Sequence, residues 1–257
     1  MAITGRAPSP TSISLRGSNR VRSQRAAGLV IYMYPENIFS HNWLIKRLVN
    51  DKIRVRLSHF SGTVLDLGCG VRPFEEDILR FANEYVGLDW SNTLHGLRAD
   101  VVADLNQPLP VCDAAADHVV AFEVLEHLAE PGVMLCEAFR VLRRGGTISL
   151  SVPFQWWVHE APWDYQRFTC HGLEYQLRKA GFECVVVEPT SGFWSMWILK
   201  LNYQQTRLVR GPKWARWLIR AVLIPFWWLG QTLAPRLDRF WREDGETAGY
   251  FVTALKG

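Results

Sequence analysis

The sequence has little cysteine for its size, and none of it is arranged to bind anything. Its five cysteines among 257 residues are Cys69, Cys112, Cys136, Cys170 and Cys184, with no C-x-x-C pair and no metal-ligand spacing. That argues against a disulfide framework or a zinc module and fits a reduced, intracellular complement. No metal is expected. The N-terminus lacks the apolar core of a secretion signal. No apolar run of spanning length is free of charge and proline. The richest window, 217–234, contains Arg220, Pro225 and Gln231, which excludes a simple transmembrane helix. Acid is missing from residues 1–25, which carry five arginines, and nearly missing from 193–241, where eight Lys and Arg stand against Asp238 alone. The formal charge of +4 therefore hides an acidic body with two basic appendages, and that asymmetry points to an anionic partner surface. A separate RNA-binding module is also missing, so nucleic acid is the less favoured partner.

What is present centres on Thr63-Val64-Leu65-Asp66-Leu67-Gly68-Cys69-Gly70, followed by Val71-Arg72-Pro73-Phe74. A short apolar strand breaks into two glycines one residue apart, and Pro73 suits the first turn of a helix. Glycine lets the bend fold tightly and leaves its backbone amides open to a ligand. Strand, glycine bend and helix start together read as a nucleoside-type site. A second strand, Glu84-Tyr85-Val86-Gly87-Leu88-Asp89, ends in a carboxylate 19 positions after Gly70, where it can accept both hydroxyl hydrogens of a ribose. The third glycine of a dinucleotide fingerprint is replaced by Pro73, which makes NAD the weaker nucleoside reading.

The rest of the chain alternates strands with helices. Strands are expected at 63–67, 85–89, 100–103, 117–122, 147–152, 182–188 and 249–255. Helices are expected at 74–83, from Pro131 to Arg143-Arg144 with Gly145 as the stop, and at 171–180. An amphipathic helix, with room for a break, is expected from Ile38 to Phe60. This is an α/β chain with a Rossmann-like doubly wound sheet, mostly parallel. Ligands bind at the carboxyl ends of such strands, which places Gly68, Gly70, Asp89, Asp104, Glu123 and Pro153 on one rim. The organisation expected is a disordered basic tail at 1–28, a leading helical segment at 29–61, a core at 62–192 and 248–257, and a basic-aromatic helical insertion at 193–247.

These residues resemble the class I S-adenosylmethionine-dependent methyltransferases. The resemblance runs through Val64-Leu65-Asp66-Leu67-Gly68-Cys69-Gly70, Val86-Gly87-Leu88-Asp89, Asp104 ahead of Pro108-Leu109-Pro110, Ala121-Phe122-Glu123-Val124-Leu125-Glu126-His127-Leu128, and Leu142-Arg143-Arg144-Gly145-Gly146-Thr147. It implies S-adenosyl-L-methionine as cofactor, an antiparallel last strand at the sheet edge, and a leading helix over the cofactor pocket. It implies cofactor contacts from Asp66, Gly68, Cys69, Gly70, Asp89, Trp90, Asp104, Leu105 and Glu123. Cys69 is then a small filler and not a nucleophile, and Asp104 meets the adenine.

After the fifth strand the chain turns polar and aromatic. The stretch from His159 through Asp164-Tyr165 to Arg167-Phe168-Thr169 resembles a signature of a bacterial subgroup associated with glycan or lipid pathways. His159 has an intrinsic pKa suited to taking a proton from a hydroxyl, with Asp164 as its catalytic companion. Arg167 could clamp a phosphate or carboxylate, or else pair with Asp164 and brace the loop. His127, Trp157 and Tyr165 complete the acceptor side. The reaction expected is methyl transfer to a small or amphiphilic acceptor, favouring a hydroxyl of a sugar, lipid-linked or quinone-type molecule. A non-catalytic cofactor- or nucleotide-binding scaffold is the alternative, and an RNA methyltransferase the lesser one.

Seven of the twelve tryptophans fall in 193–241. Lys213, Arg216 and Arg220 share one helical face there, and Trp214, Leu218, Ala221 and Val222 fall largely on another. This pattern suits an interfacial helix on anionic lipid, in a protein of the cytoplasm that is peripheral at the inner face of the membrane. A pair of helices packed on the body, or a dimer interface, accounts for it equally; oligomeric state is open.

Overall fold

Successive apolar residues of the strands fall into two separate buried clusters, as they must where side chains alternate across a sheet covered on both faces. Leu65, Val119, Ala121, Val252 and Ala254 pack with Met134, Leu135, Leu173 and Leu177. Their neighbours Val64, Val120, Phe122 and Phe251 pack with Val49, Ile53, Phe74 and Ile78. The computed structural model describes residues 34, 36–91, 98–241, 243 and 245–257. The tail expected at 1–28 lies outside the described residues.

The strands are β1 (Thr63–Leu67), β2 (Glu84–Asp89), β3 (Val101–Val102), β4 (Ala116–Phe122), β5 (Leu142–Pro153), β6 (Glu183–Pro189) and β7 (Gly249–Leu255). They form one sheet in the order β3-β2-β1-β4-β5-β7-β6. The order reverses between β1 and β4, the point at which open α/β sheets bind ligands. Only β7 runs antiparallel to its neighbours. It does not lie at the sheet edge as expected but between β5 and β6. The reason is burial: Phe251 and Val252 are 1% and 0% exposed, and an edge position would leave one backbone ladder of this apolar strand unpaired.

The helices are α1 (Trp43–Arg54), α2 (Glu75–Ile78), α3 (Pro131–Val141), α4 (Cys170–Lys179), α5 (Phe193–Thr206) and α6 (Lys213–Phe240). The leading segment is broken as expected, with a short 3₁₀ turn at Leu57–His59 after α1. The helix expected over 74–83 shrinks to the single turn of α2, because Asn83 and Glu84 already donate to the Gly62 carbonyl to start β2. The helix from Pro131 stops at Val141, before the two arginines. Arg143 instead pairs with Asp117 and donates to the Ala115 carbonyl, tying the start of β5 to β4.

Helices α5 and α6 interrupt the sheet between β6 and β7. Asp238, the lone acid of that segment, accepts from the N–H groups of Gly192, Trp194 and Ser195 at 2.8–3.2 Å and so caps α5 from α6. Trp227 donates to Gln205 at 2.9 Å, and Gln231 binds the Leu44 N–H and the Ser40 carbonyl, which fixes α6 to α5 and to the start of α1.

Candidate active site

The glycine bend is held by β2, not left open. The N–H groups of Gly68 and Cys69 both donate to the Leu88 carbonyl, at 2.8 and 3.0 Å, and Gly70 donates to Asp89 Oδ2 at 2.7 Å. This corrects the expectation of amides free to meet a ligand. Gly68 sits at φ +76°, and a Cβ there would fall 2.5 Å from a Val124 methyl; Gly70 sits at φ +50° and a Cβ there would enter open space. The bend therefore needs glycine for its shape, and its open side faces a cavity of about 460 Å³. Pyrophosphate binding would require the three amides that β2 and Asp89 already occupy.

All nine expected cofactor residues, Asp66 to Glu123, line that cavity, as do His127, His159 and Tyr165. Asp164, Arg167 and Trp157 do not. The Asp164 side chain is 1% exposed and paired with Arg167. Its Oδ2 accepts the His159 N–H at 2.8 Å and lies 3.3 Å from His159 Nδ1. Asp164 thus positions His159 and touches no ligand space. Arg167 donates to Asp164 and to the Trp157 and Gln166 carbonyls, so its fork is occupied and is not free to clamp a substrate. Trp157 stacks on Trp156, ring centres 4.3 Å apart, and against Tyr203 of α5.

The cavity's charge is one-sided. Asp66, Asp89, Asp104, Glu123 and Glu160 line it, and no Lys or Arg does among the described residues. Burial raises Asp66 to about 7 against a Tyr85 hydroxyl that donates to it, and burial likewise raises Glu123. Asp89 accepts from Gly70 and Trp90 N–H groups, which uses two of roughly four lone-pair positions on a carboxylate. Asp104 accepts twice from Asn106 on one oxygen. The Cys69 thiol is pushed up to about 12 by burial and stays a protonated filler.

Deeper in, Glu126 is fully buried, and neither carboxyl oxygen has a hydrogen-bond partner. Burial, reinforced by nearby Glu123, raises it well above the ordinary range. His127 Nδ1 lies 2.7 Å from the Trp163 carbonyl, so that nitrogen carries the hydrogen it donates. The His127 and His159 rings stand 5.0 Å apart. Glu126, His127 and His159 could share one cation, their ligand atoms all lying within 4.8 Å of one another. Burial lowers the His159 pKa from 6.5, which keeps it neutral at neutral pH.

Sequence reasoning missed Tyr34, Trp163 and Glu160, which also line the cavity. Trp163 meets Trp90 edge-on at 5.4 Å and joins the end of β2 to the loop after β5. Its aromatic signal was visible, but nothing in the spacing said which tryptophan of that loop faces inward. Tyr34 precedes α1 with no local motif to mark it.

Residues 65–150 match the family model of a methyltransferase domain. That segment carries the strand–glycine motif, Asp89, Asp104 and Glu123, so this part of the chain is similar to a methyltransferase domain. It is 33% identical over 141 residues to a protein of Mycolicibacterium smegmatis named a probable S-adenosylmethionine-dependent methyltransferase, covering 50% of this chain and 54% of that one. A ubiquinone biosynthesis O-methyltransferase of Psychrobacter cryohalolentis is 30% identical over 128 residues, 45% of this chain and 48% of the relative. The chain thus matches about half the length of these relatives. In fold it is similar to Haemonchus contortus phosphoethanolamine N-methyltransferase 2 in complex with S-adenosyl-L-methionine, with TM-score 0.51 and 17% identity over 85% of this chain and 56% of that chain. The [4+2]-cyclase SpnF is equally similar, with TM-score 0.52 and 21% identity over 83% of this chain and 82% of that chain. A shared fold therefore does not fix the reaction, which must be argued from the site.

The cavity's residues fit S-adenosylmethionine, the molecule bound in the similar Haemonchus contortus structure. That molecule carries a sulfonium, an ammonium, a carboxylate and a ribose but no phosphate. Asp89 and Asp104, with no Lys or Arg beside them in the cavity among the described residues, suit its sulfonium and ammonium. Asp89 has acceptor capacity left for ribose hydroxyls, and the open side of Gly70 leaves room for backbone-close approach.

Proposed function

We propose that the protein transfers a methyl group from S-adenosylmethionine to a hydroxyl of a small or amphiphilic acceptor, quinone-type or lipid-linked. The observation that carries this is the cavity whose lining pairs five carboxylates with an oriented His159. The cofactor, when bound, supplies an activated methyl on a cationic sulfur. The chain's own work is positioning, charge and one proton. Asp89 holds the ribose and the glycine bend together. The carboxylates favour the cation over its neutral product. His159 Nε2 takes the acceptor's hydroxyl proton, and Asp164 fixes its ring and steadies the imidazolium, as the orienting carboxylate does in a hydrolase triad. Trp90 and Trp163 close over the site and keep water away. The quinone-type choice draws on the ubiquinone biosynthesis O-methyltransferases among the relatives and on the hydroxyl-directed base.

Product formation from labelled cofactor and hydroxyl acceptors tests this. His159→Gln should lower kcat by about 10²–10⁴-fold, the usual worth of a positioned base, with product binding by calorimetry unchanged. Asp89→Ala should instead weaken that binding by about 10-fold or more, since charged hydrogen bonds are worth roughly 1.5–3 kcal/mol. The acid limb of kcat/KM should fall below pH 6.5, because burial favours neutral His159. An acid limb at or above 6.5, or unaltered kcat in the variant, removes His159 from the role.

A lipid surface is the partner that α6 fits best. Leu218, Val222, Phe226, Leu229, Leu233 and Leu237 recur at helical spacing, and all are exposed. The helix's charges besides Asp238 are all basic: Lys213, Arg216, Arg220, Arg236 and Arg239. Apolar face, tryptophans and cations together match adsorption in an anionic interface. No helix of the described residues is long and apolar enough to cross a membrane.

A further inference from the structure

A second cavity, of about 220 Å³, adjoins the first and shares Tyr34, Glu123 and His159 with it. Of its lining only Glu123 falls within residues 65–150. The remainder comes from segments outside the matched domain: Ile45, Lys46 and Val49 of α1, Trp156 after β5, Tyr203 of α5 and Ala248 before β7. A cofactor site common to a family belongs in the matched segment, and a pocket built almost wholly outside it belongs to whatever varies between members, the acceptor.

The chemistry of the two cavities differs. The first holds five acids and no lysine or arginine among the described residues. The second has mostly apolar and aromatic walls, its one acid is the shared Glu123, whose pKa burial raises, and Lys46 is its only lysine or arginine among the described residues. Neighbouring cations of α1 have partners: Arg47 pairs with Asp51 and Lys52 with Glu188. Lys46 makes no ion pair among the described residues, and Ile45 and Val49 line the same cavity. Tyr203 is held by Trp156 and Trp157, ring centres 5.0 and 3.9 Å away, which makes that wall a rigid aromatic surface. His159 stands where the two spaces meet.

We propose that this second cavity is the acceptor subsite, and that it takes a planar aromatic hydroxyl compound carrying an anionic substituent such as a carboxylate. The ring lies among Val49, Trp156 and Tyr203, the anionic group meets Lys46, and the hydroxyl reaches His159. The inference rests on the methyl-transfer reading and narrows its acceptor from any hydroxyl to an anionic phenol. A cavity of this volume is below the usual range for a whole drug-sized ligand, so it receives the reacting ring while any tail extends outside. In the step it serves, the sulfur–methyl bond breaks, the oxygen–methyl bond forms, sulfur keeps the bonding pair, and the hydroxyl proton passes to His159.

Calorimetry on the full chain saturated with S-adenosylhomocysteine tests the subsite, using 4-hydroxybenzoate, phenol and a methyl glucoside as probes. The wild type should bind hydroxybenzoate best and the glucoside least. Lys46→Gln should weaken hydroxybenzoate at least ten-fold and leave phenol within two-fold, a contrast that general misfolding would not produce. Equal loss of both aromatic probes, or a preference for the glucoside, overturns the proposal. So does absent hydroxybenzoate binding while S-adenosylhomocysteine still binds. Failure of S-adenosylhomocysteine itself to bind would instead strike the methyl-transfer reading on which the subsite depends.

Discussion

Asp66 shows how much of a residue's behaviour lies beyond its motif. Its place in the strand–glycine motif marked it for the cofactor side, and it lines the cavity as a buried carboxyl that accepts from Tyr85. An acid whose pKa is raised in the folded state holds more protons folded than unfolded. Stability should therefore fall as pH rises from near 3.8 towards about 7 and level off above. Asp66→Asn should remove that slope, which thermal melts across pH 4–8 would read directly; an unchanged slope would assign it to another group. Asp164 has the opposite sign. Arg167 helps hold it down at about 2 despite burial, so its contribution is present above 3.8 and is lost as pH falls from 3.8 to about 2. Both carboxylates were visible as residues, but their signs depend on burial inside the closed sheet in one case and on an arginine three positions away in the other.

At the scale of elements, the strands were the most readable, because buried parallel strands are short apolar runs bounded by glycine and charge. β1, β2, β4 and β6 fall within about a residue of their expected places. Helix ends were less readable, since each was decided by a distant partner. Arg143 left α3 for Asp117, and α2 was cut short by the Gly62 carbonyl. Helix α5 is capped by Asp238, more than forty residues downstream. Removing a cap costs about 1–2 kcal/mol, so Asp238→Ala should lower stability by that amount in denaturant melts. It should also loosen amide-exchange protection first in the opening turn of α5. Uniform loss of protection across the sheet would argue against a capping role.

At the scale of the molecule, α5 and α6 pack against α1, and α6 leaves a row of apolar residues exposed. Leu223, Trp227, Gln231 and Ala234 turn inward, while Trp214 and Trp217 are each 68% exposed. Co-sedimentation should show the full chain binding vesicles with one-third phosphatidylglycerol more strongly than pure phosphatidylcholine ones. Salt should weaken the binding, and Phe226→Glu with Leu233→Glu should abolish it without changing S-adenosylhomocysteine binding. Equal partitioning of the variant would sink the membrane reading, and a concentration-dependent dimer lost in the variant would assign the face to a second copy.

The local pattern of the sequence was enough for the strand–glycine–helix motif, the acid closing β2, the alternating α/β architecture and the cationic aromatic insertion, because each depends on neighbours along the chain. Only the tertiary structure decided that the bend's amides are already bonded, that β7 lies inside the sheet, and that Arg167 serves Asp164 and not a ligand. It alone showed a second cavity behind His159. Those outcomes depend on which distant groups meet once the sheet has closed, and a hydrogen-bond donor or a charge satisfied across the fold leaves no trace in its own stretch of sequence.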